Sequence, residues 1–423
     1  MDYFNYRHGR LLAEEVDLVS VAREVSTPVY VYSKGTILLH LERLREAFTE
    51  LDCLICYSVK ANANLHVLRT CAEAGMGFDI VSGGELYRAL KGGADPARIV
   101  YSGVGKSRDE ISAALESGIL MFNVESESEL AAINDIAARL GCTAPVAFRL
   151  NPDTDAHTHE YITTATRQNK FGIAIEEAER MLARWDEFAA CRLVGVDMHL
   201  GSQITETEPY ALAIDRLLLF VEKVRRAGHN VRYFDIGGGF GIFYRGSEAR
   251  DASEFAGVIV PRLKDKGLTL IIEPGRFIIG NAGVLLTSVI YIKRQSGKRF
   301  VICDAAMNDL LRPSMYGGYH RIWPAATHLP FTQDETDETP LADIVGPVCE
   351  SGDFMAKDRA LPNVAEGDVL AIYGAGAYGM SMASNYNARR RAPEVMVAGD
   401  SWRIVRRRET YEDLIRPEVE ISG

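Results

Sequence analysis

Between about residue 36 and residue 276, short apolar runs alternate with longer stretches of helical periodicity. One such stretch, residues 207–227, repeats apolar side chains at spacings of three and four, as in a helix that buries one face. The eight apolar runs are 55–60, 77–82, 98–103, 120–126, 145–151, 193–200, 231–238 and 269–276. Strands that alternate with helices predict βαβ units and a parallel sheet. Eight units over about 240 residues favour a closed α/β barrel, (β/α)8, with an open parallel sheet as the alternative.

The pattern changes after residue 276, where β-rich segments separated by turn residues replace most of the helical periods. The segments are VLLTSVIYIKR, KRFVICDA, GDVLAIYG and PEVMVAGDSWRIVRRR. They predict a second, mainly antiparallel β domain. We therefore predict an N-terminal segment at 1–34 that joins the β domain, a barrel at 35–276 and a C-terminal β domain at 277–423.

Composition and charge narrow the class of protein. The chain has 423 residues, of which 47% are hydrophobic and 25% charged, which is ordinary globular composition. A formal net charge of −11 argues against a main role in binding nucleic acid or an anionic membrane. The two dense basic runs, Arg389 to Arg391 and Arg406 to Arg408, are interpreted as surface charge.

The cysteines and the N-terminus predict a cytoplasmic protein. Seven scattered cysteines do not have the spacing of a disulfide framework. The pair Cys53 and Cys56 has no second pair to complete a metal site, and it is interpreted as part of a strand. No apolar signal region opens the chain and no apolar run reaches about 18 residues. We expect a reducing compartment, no membrane segment and no metal.

Polar residues and glycines gather where the predicted strands end. They are Lys60, Asp79, His199, Ser202, Gly237, Gly238, Gly239, Glu273, Gly275 and Arg276. Because (β/α)8 enzymes carry their chemistry at the carboxyl ends of the strands, these residues predict one site. The polar stretch 152–170 is a candidate lid.

Lys60 follows the apolar run ICYSV. A lysine that is desolvated at such a strand end has a depressed pKa and can attack a carbonyl carbon. The alternative is a lysine whose stem lies along the rim while its amine reaches solvent. The position alone does not decide between these two interpretations.

Two further motifs favour a phosphorylated pyridine cofactor. The glycines of DIGGGFG allow backbone N–H groups to approach a phosphate, helped by a following helix N-terminus. In EPGR, Glu273 could face the pyridine nitrogen of pyridoxal 5′-phosphate and keep that nitrogen protonated. A protonated ring accepts electrons strongly, which favours a decarboxylase over a racemase.

Two motifs resemble nucleotide-binding sequences without their context. GAGAYG (374–379) matches G-x-G-x-x-G, but no amphipathic helix follows it. GVGKS (103–107) ends like a phosphate-binding loop, but Val100 occupies the position of the first required glycine. Neither is expected to bind a nucleotide.

The motifs also resemble a known family. CYSVKANAN, GFDIVSGGEL, HLGSQ, DIGGGFG, EPGR, RPSMYGGYH, GPVCESGDF and GAGAYGMSMASNYN follow one another over residues 55–387. In this order they resemble the meso-diaminopimelate decarboxylases, which are fold type III (alanine-racemase-like) pyridoxal-phosphate enzymes. RPSMYGGYH and CESGDF are the more specific segments, because the ornithine and arginine decarboxylases share the others. The resemblance implies conversion of meso-2,6-diaminopimelate to L-lysine and CO2, the last step of lysine biosynthesis.

The resemblance implies a role for each matching residue. Lys60 carries the cofactor as a Schiff base, His199 stacks on its ring, and Glu273 pairs with the pyridine nitrogen. The other residues expected at the cofactor are Asp79, Ser202, Gly237, Gly238, Gly239, Gly275, Arg276 and Tyr378. Cys349 is the expected proton donor. In the family Cys349 and Glu350 come from the partner subunit, which implies an obligate homodimer with shared active sites.

The substrate has a second ammonium and a second carboxylate, and both need partners if they are buried. Arg276 and Arg312 can clamp the distal carboxylate, and Glu350 can take the distal ammonium. Tyr316 lies on the face of Arg312 if a helical turn starts at Pro313. Tyr378 is also expected to reach the substrate.

The sequence leaves three alternatives to this function. A related decarboxylase could act on D-lysine, D-ornithine or a carrier-linked amino acid, although D-lysine and D-ornithine lack a distal carboxylate and do not need both arginines. A racemase disagrees with Glu273. A non-catalytic pyridoxal-phosphate-binding module disagrees with the second domain that carries Cys349.

Overall fold

The computed structural model describes residues 2–152, 170–244, 250–329 and 339–419. The interior of the candidate lid, 153–169, lies outside the described residues. The described residues within 40–241 and 249–275 form one compact unit, here called the barrel unit. Those within 1–39, 242–248 and 276–423 form the other, the β unit.

The strands, in chain order, are β1 (Phe4–Arg7), β2 (Arg10–Ala13), β3 (Val16–Asp17), β4 (Val29–Ser33), β5 (Cys53–Ser58), β6 (Gly77–Ile80), β7 (Ile99–Tyr101), β8 (Met121–Val124), β9 (Ala144–Asn151), β10 (Ile173–Ala174), β11 (Cys191–Asp197), β12 (Tyr233–Asp235), β13 (Thr269–Ile272), β14 (Gly283–Gln295), β15 (Lys298–Cys303), β16 (Ile322–Pro324), β17 (Leu341–Val345), β18 (Phe354–Ala360), β19 (Val369–Ile372), β20 (Glu394–Ala398) and β21 (Ser401–Arg406). The α-helices are α1 (Leu18–Val25), α2 (Lys34–Ala47), α3 (Leu65–Glu73), α4 (Gly83–Lys91), α5 (Arg108–Ser117), α6 (Glu127–Leu140), α7 (Ile175–Ala183), α8 (Glu208–Arg226), α9 (Ala252–Leu263), α10 (Arg276–Ile279), α11 (Arg312–Tyr316) and α12 (Tyr411–Val419).

Eight parallel strands of the barrel unit close into a barrel. β5, β6, β7, β8, β9, β11, β12 and β13 pair in this order, and β13 pairs back with β5. Each of the eight predicted apolar runs overlaps one of these strands, and the pairing of β8 with β9 completes the ring. The predicted closed barrel is confirmed and the open sheet is excluded. The C-x-x-C pair, Cys53 and Cys56, lies within β5 as interpreted.

The helices around the barrel follow ordinary local rules. α8 buries Ile214, Leu217, Val221 and Val224 on one face, as the periodicity of 207–227 predicts. α5 begins at a capping box in which Ser107 accepts from the backbone of Glu110, and Glu110 accepts from the backbone of Ser107. Such caps fix where a helix starts, and hence where the preceding strand end is exposed.

The β unit is mainly antiparallel. Its larger sheet has the order β18-β17-β15-β14-β4-β20-β21, with β19 pairing β14 and β16. β14 pairs β4 and β19 in its first half and β15 in its second, so one long strand joins both parts of the sheet. Val29, Val31, Val284 and Leu286 are fully buried in its core. The exposed helix α12 was not predicted from the pattern.

The two nucleotide-like motifs have no nucleotide-binding context. The segment GAGAYG follows β19, which is antiparallel to β14, and leads into a single 3-10 turn at Met380–Met382. Within the described parts of the chain, no helix is long and apolar enough to cross a bilayer.

Candidate active site

Lys60 and Asp79 lie together at the carboxyl ends of neighbouring strands. β5 and β6 pair in register from Cys56 and Gly77 to Ser58 and Asp79. Nζ of Lys60 is 3.2 Å from Oδ2 of Asp79, and Oγ of Ser58 donates to the same oxygen at 2.5 Å. Lys60 follows β5 in a 3-10 turn, Val59–Ala61, with its side chain 36% exposed. Lys60 is thus not desolvated; it is an ion-paired amine at the rim of the barrel.

Three carboxylates meet inside the barrel. Asp197 ends β11, Asp235 ends β12 and Glu273 follows β13. One oxygen of each lies within 4.8 Å of the others, and all three residues are at most 4% exposed. Two like charges at that distance repel by about 3 kcal/mol at an effective dielectric constant of about 20. The three groups therefore cannot all be ionised at low cost.

Nearby cations are engaged elsewhere. Arg149 donates to Glu125 at 2.8 Å and reaches Asp197 only at 3.9 Å. Lys60 pairs with Asp79, and the fully buried Lys106 of the GVGKS segment pairs with Glu129 at 2.7 Å. The three-carboxylate cluster therefore carries negative charge that the described residues do not balance.

Burial and mutual repulsion raise the pKa of each acid in this cluster. Burial, with the charges of Asp235, Asp79 and Asp197, raises the pKa of Glu273 well above its ordinary value. Burial also raises the pKa of Asp235 to about 7. Such a cluster retains a proton near neutral pH unless a cation comes close. Three convergent carboxylates could hold a hard metal ion, but they match a ring N–H⁺ equally well.

His199 and the glycine triplet are close neighbours. The backbone N–H of Gly238 donates to Nδ1 of His199 at 3.3 Å. Nδ1 is therefore an acceptor, the ring is neutral, and its proton is on Nε2. Burial, then the charges of Arg149 and Lys60, lower the pKa of His199 well below its ordinary value. The 4.0 Å separation between Nδ1 and Oε2 of Glu273 is consequently not an ion pair.

The triplet requires glycine because other groups approach its backbone. A Cβ at Gly237 would overlap the His199 ring, and one at Gly238 would overlap the carbonyl oxygen of Glu273. Ser202 lies in the half-buried turn before Ile204, and the backbone of Ile204 pairs with Gly239 at 2.8 Å. Ser202 and the triplet are thus held in adjacent segments. The expected helix N-terminus does not follow directly, since residues 240–244 are not helical and α9 begins at Ala252.

The barrel residues fit a pyridoxal phosphate. Oδ1 of Asp79, of Asp197 and of Asn123 are buried and have no hydrogen-bond partner among the described residues. The same interior presents an amine, an excess of negative charge and a loop of three consecutive glycines. An aldehyde, a ring N–H⁺ and a phosphate are the complements of these three features. Gly275 packs against Ala61, directly beside Lys60.

Sequence reasoning missed part of this set. Asp197, Asp235 and Asn123 lie within apolar runs that predict only strands. The signal was a carboxylate or amide inside a run that is otherwise buried, since such groups are rarely buried without a partner. Glu85 is a further missed acid near Lys60, and burial raises its pKa to about 7.

The β unit holds a second group of predicted residues. Arg276 and Arg312 are each 8% exposed and share Tyr244. Arg276 donates to the Tyr244 hydroxyl at 2.6 Å, and the Arg312 guanidinium lies 4.5 Å from the centre of the same ring. The Arg276 guanidinium also lies 4.8 Å from the ring of Tyr378, which has a left-handed φ of 56°. Arg312 starts α11, and the half-buried Tyr316 ends it.

Arg312 is a buried cation with a neutral polar partner. Its Nη1 donates to Nε2 of His320 at 2.8 Å, and among the described residues it has no carboxylate within ion-pair distance. Burial, reinforced by the charge of Arg276, lowers the pKa of Arg312. The positive charge of Arg312 is therefore not neutralised by a described side chain.

Cys349 and Glu350 lie on an exposed turn between β17 and β18. The buried Asp353 holds this turn by accepting the backbone N–H groups of Met307 and Val348, each at 2.7 Å. Asn387 accepts the backbone N–H of Cys349 at 2.9 Å. The turn is thus fixed by its own unit while the thiol faces outward.

Comparisons with known proteins agree with this chemistry. Residues 34–280 match the family model described as pyridoxal-dependent decarboxylase, pyridoxal binding domain. A curated diaminopimelate decarboxylase of Pseudomonas aeruginosa is 48% identical over 99% of each chain. The crystal structure of diaminopimelate decarboxylase from Helicobacter pylori complexed with L-lysine is 42% identical, with 96% of this chain and 100% of that one covered and a TM-score of 0.90. The crystal structure of diaminopimelate decarboxylase from M. jannaschii in co-complex with L-lysine is 37% identical. The match covers 100% of this chain and 98% of that one, with a TM-score of 0.92.

Proposed function

The chain belongs to the pyridoxal-dependent decarboxylases and, within them, to the diaminopimelate decarboxylase family, and from this premise we propose that it converts meso-2,6-diaminopimelate to L-lysine and CO2. It is an enzyme, a carboxy-lyase that uses pyridoxal 5′-phosphate. The observation that carries the substrate assignment is Arg312, a buried guanidinium with a neutral polar partner. A distal carboxylate on the substrate supplies the missing negative charge.

The cofactor site that we propose uses the carboxyl ends of the barrel strands. Its residues are Lys60, Asp79, His199, Ser202, Gly237, Gly238, Gly239, Glu273 and Gly275, with Arg276 and Tyr378 from the β unit. When bound, the cofactor accepts the electron pair that is left as the bond from Cα to the carboxylate breaks. Glu273 holds a proton at the pyridine nitrogen, because its carboxylate is surrounded by other acids and gains from a nearby cation.

The other barrel residues bind and orient. The amine of Lys60 binds the cofactor covalently, and Asp79 keeps that amine at the rim. The backbone N–H of Gly239 and the hydroxyl of Ser202 bind the phosphate, while the N–H groups of Gly237 and Gly238 donate to Asp235 and His199 and hold the glycine triplet in place. His199, neutral and half-buried, covers the ring and excludes water without adding a charge.

The substrate residues that we propose are Arg276, Arg312, Tyr316, Tyr378 and Glu350. The two arginines bind the distal carboxylate with charge-assisted hydrogen bonds. Glu350 binds the distal ammonium, and the thiol of Cys349 delivers the proton to Cα. The substrate therefore loses the carboxylate at only one of its ends, because the carboxylate at the other end is paired with Arg276 and Arg312.

Borohydride reduction tests the covalent role of Lys60. Reduction should fix the cofactor on the wild-type protein and should fail on Lys60→Ala. Lys91→Ala, which removes an exposed lysine of α4, is the matched control and should behave as wild type. Fixation on Lys60→Ala would overturn the assignment.

Release of CO2 across a substrate series tests the chemistry. We expect activity on meso-diaminopimelate and much weaker activity on the LL and DD isomers, D-lysine and D-ornithine. The alternative is a related decarboxylase, and turnover of D-lysine or D-ornithine at least as fast as meso-diaminopimelate would favour it.

We also propose a homodimer with shared active sites, supported by the outward-facing Cys349 and Glu350. Equal mixing of Lys60→Ala and Cys349→Ala proteins should restore about a quarter of wild-type activity, because about half of the dimers then contain one intact site. No recovery after demonstrated subunit exchange would contradict it.

We propose that the chain consists of an N-terminal segment at 1–34 that joins the β domain, a cofactor-binding barrel at 35–276 and a C-terminal β domain at 277–423. Cytoplasmic location is proposed, and the seven cysteines, all present as free thiols, support a reducing compartment. Fractionation of cells with a marker enzyme tests the location.

A further inference from the structure

His320 is a fully buried histidine that the proposed mechanism does not use. It closes the segment RPSMYGGYH, eight residues after Arg312. Its Nε2 is 2.8 Å from Nη1 of Arg312, and its Nδ1 is 2.8 Å from the carbonyl oxygen of Tyr373. The ring of Tyr244 meets it edge-on at 5.3 Å, and Arg359 donates to its backbone carbonyl at 2.6 Å.

These partners determine the tautomer of His320. A guanidinium only donates hydrogen bonds, so Nε2 must be the acceptor. A carbonyl oxygen only accepts, so Nδ1 must carry the proton and donate it. Both ring nitrogens are used, and the ring cannot rotate or take a second proton without losing one of its bonds.

The ring also remains neutral over the working range of pH. Burial first, and then the charge of Arg312, lower the pKa of His320 to about 3. The groups that face it are Arg312, Arg276, Arg359, Tyr244 and the Tyr373 carbonyl, and the three arginines are all cations. No described carboxylate faces it, so Arg312 is oriented without being neutralised.

We propose that His320 is a positioning residue that sets the specificity for a distal carboxylate, by fixing the guanidinium of Arg312 through a neutral acceptor. An acidic residue in this place would orient Arg312 equally well but would pair with its charge and compete with the substrate. The proposal rests on the proposed function, because it assigns to Arg312 the distal carboxylate of the substrate.

Three substitutions of His320 distinguish the orientation of Arg312 from the neutralisation of its charge. His320→Asn can still donate to the Tyr373 carbonyl but is too short to accept from Arg312. His320→Gln places a neutral acceptor near the Nε2 position. His320→Glu has nearly the same shape as His320→Gln and adds a negative charge.

We would measure kcat and KM for meso-diaminopimelate, the inhibition constant of D-lysine, and the thermal midpoint of each holoenzyme. His320→Asn should raise KM about tenfold with kcat changed less than about threefold. His320→Gln should restore KM to within about threefold of wild type, and His320→Glu should raise it at least as much as His320→Asn. The inhibition constant of D-lysine, which lacks the distal carboxylate, should stay within about twofold in all three.

An Arg312→Gln background supplies the control for positioning. There, His320→Asn should add less than about a twofold change, since its effect passes through Arg312. Equal KM values for His320→Gln and His320→Glu would overturn the proposal. So would a rise in KM from His320→Asn that is as large in the Arg312→Gln background as in the wild type. If His320→Asn does not fold, the Gln and Glu pair still decides. An inactive wild-type enzyme would instead overturn the proposed function.

Discussion

The barrel unit and the β unit each contain a buried cluster of like charges, and the two clusters have opposite signs. Inside the barrel, Asp197, Asp235 and Glu273 meet, and Arg149, which lies 3.9 Å from Asp197, is bound more closely by Glu125. In the β unit, Arg312 lies beside Arg276 and is satisfied by a neutral histidine. A buried charge that is only partly paired is costly, so we infer that each cluster favours a ligand that brings the opposite charge.

The acid cluster of the barrel unit and the arginines of the β unit differ in whether they can lose their charge when no ligand is bound. Carboxylates can take up a proton, so the barrel cluster neutralises itself partly as its pKa values rise. A guanidinium does not give up its proton at any working pH, so the charge in the β unit is permanent. The barrel site should therefore respond to pH in the absence of cofactor, whereas the arginine site should respond mainly to the charge of the ligand.

The largest effect is expected from removing the charge at the centre of the barrel cluster. Glu273→Gln should lower kcat by about 10²- to 10³-fold, because an electrostatic partner of the reacting system is lost. Stopped-flow or steady-state release of CO2 measures this. Asp197→Asn is the matched control and should cost less than about tenfold. Equal losses in the two variants would mean that the cluster acts as a whole, and Glu273 would lose its special role.

Removing the positive charge of Arg312 should weaken the binding of meso-diaminopimelate. Arg312→Gln should raise KM for meso-diaminopimelate by roughly 10- to 100-fold, as expected when a charge-assisted hydrogen bond is lost. The inhibition constant of D-lysine should change little. A similar weakening of both ligands would show that Arg312 supports the fold and does not read the distal carboxylate.

The acid cluster should make the stability of cofactor-free protein depend on pH. The folded pKa of Asp235 is about 7 against an ordinary value of 3.8, so the folded state holds a proton that the unfolded chain has released. This contribution is fully present below pH about 4 and is lost as the pH rises through about 7. Asp235→Asn should remove several degrees of the fall in thermal midpoint across that window.

Asp186→Asn serves as the control for this pH effect, because Asp186 is an exposed acid of the same unit. It should leave the slope unchanged. An Asp235→Asn protein whose midpoint falls with pH as steeply as wild type would place the buried proton elsewhere in the cluster.

The smallest effect is expected from paired charge at the surface. Arg407 is exposed and pairs with Asp413, one of several contacts that engage the basic runs 389–391 and 406–408. Arg407→Gln should leave kcat and KM within about twofold of wild type, as is usual for a surface ion pair. A larger loss would indicate that this run binds an anionic ligand.

Much of the barrel could be predicted from the sequence because its signal is local. Each buried parallel strand is a short apolar run, and each covering helix shows a 3.6-residue period. Most predicted runs extend a few residues beyond the observed strand ends, but Lys60, Asp79, His199 and Glu273 could still be predicted as a group near those ends. The helix N-terminus expected after the glycine triplet does not follow it directly, since residues 240–244 are not helical, and glycines alone do not distinguish a turn from the start of a helix.

The residues that were missed depend on partners far away in the chain. Asp197 and Asp235 occur inside apolar runs, and their role is visible only when β11, β12 and β13 bring them within 4.8 Å of Glu273. The sequence does not distinguish His320 from any other histidine at the end of a motif. Its role depends on the two partners of its ring nitrogens, Arg312 and the Tyr373 carbonyl.

The sequence by itself determined the class of fold, the order of the motifs and the residue types that the chemistry needs, since these follow from local periodicity and from chain order. Only the tertiary structure decided which charges are paired. The cost of a buried charge depends on groups within a few ångströms of it, and those groups come from strands that are far apart along the chain. For that reason the uncompensated acids of the barrel and the uncompensated arginine of the β unit became visible only in three dimensions.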